Sequence, residues 1–155
     1  MSHRSYSSCF VCFGLVVTLC LPLLALAVGS GPAPAPVAPR SAEAEYNKGL
    51  QAKAAQRYSE AAGDFRRAVD IRPNYPEAWN ELGFALRQSG QLSEALKAYE
   101  QALRLRPNFP EALEYLGETY VKLGRLDDAR AVLERLKPLN TAHARELEEA
   151  IQAGK

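Results

Sequence analysis

Two stretches of this chain match almost letter for letter: Arg72-Pro73-Asn74-Tyr75-Pro76-Glu77-Ala78 and Arg106-Pro107-Asn108-Phe109-Pro110-Glu111-Ala112, standing 34 residues apart. A fixed period of this size marks a repeat array, in which no unit can bury its own apolar face and each is completed by its neighbours. Carried along the chain, the period divides it into residues 42–75, 76–109 and 110–143. Gly49, Gly83 and Gly117 then coincide, as do Ala61, Ala95 and Ala129, and Phe65, Tyr99 and Leu133. The small residues belong where two helices of one unit cross closely. The large ones fill the space between units.

Each unit reads as two amphipathic helices. Trp79, Leu82, Gly83 and Leu86 recur at three- and four-residue spacing, which places them on one helix face. Gly90 and Gly124 are expected to end first helices in the left-handed conformation. Gln56 holds that place in the first unit and predicts a less well defined turn. Second helices are expected to start at Ser59, Ser93 and Asp127, whose side chains can accept from free backbone N–H groups, followed by Glu60, Glu94 and Asp128 in the first turn. This explains Asp127-Asp128 as capping rather than as an acid/base or metal pair. Pro73 and Pro107 stop second helices, and Pro76 and Pro110 open the next ones, where a missing N–H costs nothing.

The last unit ends differently. Pro138 comes three places before the expected proline position, and Asn140 or Thr141 reads as a new cap. A closing helix over residues 141–153 would bury Ala144, Leu147 and Ile151 and turn Arg145, Glu146, Glu148 and Glu149 outward. In the first unit, Glu45 and Lys48 stand where large apolar residues are expected, which suggests that this end faces water.

Residues 1–27 have a short polar start with Arg4, an apolar run from Phe10 to Leu24, and Ala25-Leu26-Ala27. That is the pattern of a secretory signal peptide cut after Ala27, with Gly29 as a second cleavage position. An uncleaved anchor stays open, since residues 9–28 are long enough to span a bilayer. Lipidation at Cys20 is disfavoured by Leu19 before it and by the apolar run continuing past it. Residues 28–41, rich in alanine and proline, read as an extended tether. The expected location is the periplasm or the extracellular space, with or without a membrane tether.

From Val28 onward, 18 Lys and Arg face 18 Asp and Glu. A neutral, interspersed surface offers no general attraction to nucleic acid. All three cysteines, Cys9, Cys12 and Cys20, lie in the export segment, so the repeats have no disulfide or thiolate site. His143 is the one histidine of the repeats and cannot make a histidine-based metal site by itself. No serine stands beside a histidine base and no glycine-rich phosphate loop is present, so no enzyme, cofactor or metal is expected.

Trp79-x-x-Leu82-Gly83-x-x-Leu86 followed by Ala95, Tyr99, Ala102 and Pro107 resembles the tetratricopeptide-repeat signature. The third unit resembles it through Leu113, Leu116, Gly117, Tyr120, Ala129 and Leu133. The first does so mainly through Tyr58, Ala61, Phe65, Ala68 and Pro73. The resemblance implies an all-α fold, a right-handed α-solenoid of three helix-turn-helix units plus the closing helix. It also implies a concave groove that receives an extended or helical peptide of a protein partner. By analogy, the groove positions are the second, fifth, ninth, twelfth and thirteenth of each unit. These are Glu43, Tyr46, Leu50, Lys53 and Ala54; Glu77, Asn80, Phe84, Arg87 and Gln88; and Glu111, Glu114, Glu118, Val121 and Lys122. Glu43, Glu77 and Glu111 would form an acidic edge, Lys53, Arg87 and Lys122 a basic one, and Tyr46, Leu50 and Phe84 an apolar floor that gives way to acids in the third unit. The basic clamp by which some relatives hold chaperone C-termini needs Lys and Asn where this chain has Tyr46 and Leu50, so it is not expected. The competing expectation is a self-associating or membrane-anchored structural component of the envelope, stacking through the weakly apolar first helix.

Overall fold

The computed structural model describes residues 40–154. The export segment, its cleavage positions, Cys20 and nearly all of the alanine/proline tether lie outside the described residues. Within them are seven helices and no strand. These are α1 (Ala42–Ala54), α2 (Tyr58–Ile71), α3 (Pro76–Gln88), α4 (Leu92–Leu105), α5 (Pro110–Lys122), α6 (Leu126–Leu136) and α7 (Thr141–Ala153). They pack as the hairpins α1–α2, α3–α4 and α5–α6, with α2 against α3 and α4 against α5, so contacts run almost entirely between neighbours in the chain. No described helix is long and apolar enough to cross a membrane.

The small residues sit at helix crossings. Ala61, Ala95 and Ala129 are fully buried. A Cβ built on Gly49 would lie 2.6 Å from the Phe65 ring, and one on Gly83 would lie 2.6 Å from the Tyr99 ring, so in the first two hairpins the aromatic lies flat on a glycine of its own unit. In the third hairpin the partner changes. The space over Gly117 is filled by both methyls of Leu147, which comes from α7 and not from α6. α6 is 11 residues long where α2 and α4 are 14. α7 packs against both α5 and α6.

The turns inside the hairpins correct one expectation. The second helices begin at Tyr58, Leu92 and Leu126, one residue before Ser59, Ser93 and Asp127, and no side chain caps them. The preceding turn already fixes the entry. Gln56, Gly90 and Gly124 take φ of 57°, 82° and 71°. The next N–H then reaches back to the first helix: Arg57 to Ala52 O, Gln91 to Leu86 O and Arg125 to Tyr120 O, each at 2.9 Å. That is the Schellman pattern, closing one helix while aiming the next. The acids keep their place near the helix N-termini, where Arg125 Nε also donates to Asp128 Oδ2 at 2.7 Å.

Gln56 adopts the left-handed turn despite its Cβ, so the first turn is as regular as the others. A side chain there is strained by about 1–2 kcal/mol, of which glycine would return part as added unfolded-state entropy. Gln56→Gly is therefore expected to raise stability by about 0.5–1 kcal/mol, seen as a higher urea midpoint at unchanged slope.

Glu45 corrects a second expectation. It takes the place of Trp79 and Leu113 in the other units and does not face water: it is 1% exposed. Arg67 Nε, from α2, donates to its Oε2 at 2.7 Å, and Lys48 Nζ donates to its Oε1 at 2.9 Å. The two hydrogen-bonded cations hold its carboxyl down at about 2. A buried carboxylate with two charged donors substitutes for an apolar residue because its charge stays compensated.

Asn140 is the cap of α7, its side chain accepting from the N–H of Ala142 at 3.0 Å and of His143 at 3.2 Å. Ala144, Leu147 and Ile151 are buried, and Arg145, Glu146, Glu148 and Glu149 are exposed.

Candidate partner-binding face

The first helices of the hairpins lie side by side and are joined by ion pairs. Lys53 of α1 pairs with Glu81 of α3 at 2.5 Å, and Arg87 of α3 pairs with Glu118 of α5. The rings around these helices form two clusters, one on Tyr46 and one on Phe84. The Tyr46 ring centroid lies 5.1 Å from Tyr75 and 5.6 Å from Phe65. Phe84 lies 5.5 Å from Tyr115 and 6.2 Å from Tyr58. Leu50, Tyr46, Phe84 and Tyr115 are half-buried, so each leaves apolar surface open. Cations stand over these rings: Lys53 Nζ is 4.6 Å from the Phe84 centroid, and the Arg87 guanidinium is 5.6 Å from Phe84 and 5.2 Å from Tyr115. At these distances the attraction to each ring face is real but modest, roughly 0.5–1 kcal/mol.

The three acids at the second positions divide. Glu43 pairs with Arg72 and Glu77 with Arg106, the arginine at the end of the same unit. Those arginines lie 4.6 Å over Tyr75 and Phe109 in turn. The near-identical heptapeptides thus close each unit end to start. Position 140, where a third arginine would fall, is Asn140, and Glu111 is exposed with no ion pair among the described residues. At the opposite edge Lys53 and Arg87 are paired, and only Lys122 is exposed without an ion pair among the described residues. Gln88 and Ala54 are exposed, and Val121 is half-buried.

Asn80, Arg87 and Glu114 are buried, so these three lie beneath the face more than on it. Asn80 Oδ1 and Arg87 Nε have no hydrogen-bond partner among the described residues. Glu114 is covered by α7, with His143 Nδ1 against its carboxylate. Burial and the neighbouring Glu146 carboxyl push Glu114 up to about 7, while His143 pulls it down. The acids of the third unit are therefore mostly engaged: Glu114 with His143, Glu118 with Arg87. What the face offers next to Phe84 is the ring of Tyr115.

Tyr115 and Glu81 belong to this face and escape the sequence reading, because both fall at the sixth place of their units. A helix face one residue wider would have included them. The closeness of His143 and Glu146 to Glu114 was also not anticipated, since it needs α7 to dock on α5.

Family models described as TPR repeat match residues 49–88 and 83–124, and one described as tetratricopeptide repeat matches residues 110–140. No curated protein matches the chain. Many solved structures share the fold, among them the following three. The first TPR of Spaghetti (RPAP3) bound to the HSP90 peptide SRMEEVD is 22% identical with a TM-score of 0.67, covering 73% of this chain and 92% of that one. A chain of the CopN-Scc3 complex is 26% identical with a TM-score of 0.63, covering 74% and 69%. The TPR domain of Arabidopsis OM64 is 15% identical with a TM-score of 0.70, covering 74% and 97%.

Proposed function

Since this chain belongs to the tetratricopeptide-repeat family, we propose that it is an exported, non-catalytic scaffold that binds a peptide or helix of another protein across the face of α1, α3 and α5. The observation that carries this reading is the half-buried pair Phe84–Tyr115 with Lys53 and Arg87 held over its rings, and half-buried Tyr46 and Leu50 on α1. Rings already fixed by neighbours lose little freedom on binding, which makes them good anchors for an apolar side chain. Exposed Glu111 and Lys122 at its margins would orient the ligand by charge. The RPAP3 domain binds an acidic chaperone peptide; this chain carries Tyr46 and Leu50 where such a clamp needs Lys and Asn, which favours a ligand with an apolar anchor. The apolar segment and Ala25-Leu26-Ala27 support export, either as a released protein or as one tethered through residues 9–28.

Reversing the charge of Arg87 would be a poor test, because it would set a new acid, at a buried position, against Glu118. Phe84→Ala combined with Lys122→Glu changes a half-buried ring and an exposed cation instead. Affinity capture from the native envelope is expected to retain a specific partner with the wild-type chain and to lose it with this variant at an unchanged helical signal. Equal capture by both chains rejects the face.

A further inference from the structure

We propose that Glu114, His143 and Glu146 form a site for a divalent transition-metal ion, zinc by preference, that bolts the closing helix α7 to α5. One ligand atom from each residue lies within 4.8 Å of the others, with Glu114 on α5 and the other two on α7. His143 and Glu146 are three residues apart, so one helix face presents both. Tetrahedral zinc bound at about 2.0–2.2 Å puts its ligand atoms roughly 3.3 Å apart. Reaching that spacing opens the direct His143–Glu114 contact to admit the ion, while Glu146, an exposed side chain, is free to adjust.

Three observations favour a cation over a chance cluster. Glu114 is 4% exposed, so its carboxylate has little water to solvate it. His143 Nδ1 is shielded from solvent and points at that carboxylate, yet makes no hydrogen bond of proper geometry. Glu146 brings a second carboxyl to the same spot, where two negative charges repel unless a proton or a cation lies between them. A metal ion supplies that charge and takes the His143 nitrogen as a ligand in place of its direct contact with Glu114. One imidazole and two carboxylates suit zinc, cobalt or nickel. They do not suit calcium, which takes six to eight oxygens, or magnesium, which holds oxygen ligands in a strict octahedron. The fourth position of a tetrahedral ion would be taken by water.

The test is titration of the purified full-length chain with Zn2+, and with Co2+ as a visible-spectrum probe. The expected result is one ion per chain at this site, with a tetrahedral cobalt spectrum and slower amide exchange in α7. Glu146→Gln and His143→Ala should each weaken binding at least about tenfold, since even outer partners of a metal commonly account for ten- to hundredfold. Mg2+ should neither compete nor slow exchange in α7. Cys9, Cys12 and Cys20 offer thiolates to the same ions, but a cobalt–thiolate site shows a near-ultraviolet charge-transfer band that an imidazole–carboxylate site lacks. Three outcomes would overturn the assignment: no binding, binding that both variants retain, or binding that carries only the thiolate band. Circular dichroism checks that both variants stay folded, which is expected because Glu146 lies on the surface and His143 is only half-buried.

Discussion

Tyr99→Ala is expected to lose about 3–5 kcal/mol, while Tyr99→Phe is expected to lose nothing and to gain up to about 1 kcal/mol. Tyr99 is fully buried, lies on Gly83 within its hairpin and meets Tyr115 at 6.1 Å across the next one. Truncation would leave a ring-sized cavity between rigid helices that can collapse only in part. A domain of this size is stable by roughly 5–15 kcal/mol, so the loss removes a large share of the total. The hydroxyl is a different matter. It is buried without a hydrogen-bond partner of proper geometry, with the Arg87 guanidinium among the neighbouring charges. Phe65 fills the same place in the first unit with no hydroxyl at all. Urea unfolding of the three chains at equal slope measures both changes. A loss above about 1 kcal/mol in Tyr99→Phe would mean that Arg87 uses the hydroxyl, and the burial argument would fail.

Gly117→Ala should act very differently from Gly83→Ala, although the two glycines hold the same place in their units. At Gly83 a methyl would press into the Tyr99 ring, which is enclosed by its own hairpin, so the strain of about 1–3 kcal/mol is felt by the central repeat. At Gly117 the methyl would overlap both methyls of Leu147. Leu147 is itself fully buried, but it is carried by a terminal helix that packs only on α5 and α6. Undocking α7 relieves the clash at the cost of re-exposing Leu147, Ala144 and Ile151. In an array where each element contacts its neighbours, such a loss stays local. Amide hydrogen exchange is expected to show α7 unprotected in Gly117→Ala while α3 and α4 keep most of their protection. Uniform loss across all seven helices would show that the closing helix is integral to global folding.

Those two glycines also show how far a period can be read. The 34-residue offset placed Gly49, Gly83 and Gly117 at helix crossings, and all three lie at crossings. It could not say that the third would meet a residue 30 positions later, on α7. Leu133 holds the place of Phe65 and Tyr99 but is a smaller side chain on a shortened α6, and α7 supplies the missing bulk. The capping assignments failed for a similar reason. Ser59, Ser93 and Asp127 have the right chemistry, but the left-handed residue three places earlier already fixes the chain direction. Glu45 looked like a residue for water because its partner Arg67 is on another helix, 22 positions away. On the binding face, the sequence located Tyr46, Leu50 and Phe84, while Tyr115 fell outside the positions considered. The charges that seemed to form two opposed edges are largely paired with other residues, Glu43 and Glu77 with Arg72 and Arg106, and Lys53 and Arg87 with Glu81 and Glu118.

The sequence alone determined the helical-repeat architecture, because a 34-residue period of small and large residues admits few other ways of burying its apolar faces. It also determined the apolar face of α7, since a helix end without a following repeat must pair one greasy side with one polar side. Only the tertiary structure decided which charges remain available to a partner, and which side chains gather beneath α7. The ion pair Arg87–Glu118 and the contacts of Glu114 with His143 and Glu146 join residues 29 to 32 positions apart. Their proximity depends on how closely one helix settles against the next, and that is set by packing over the whole interface rather than by any local pattern of residues.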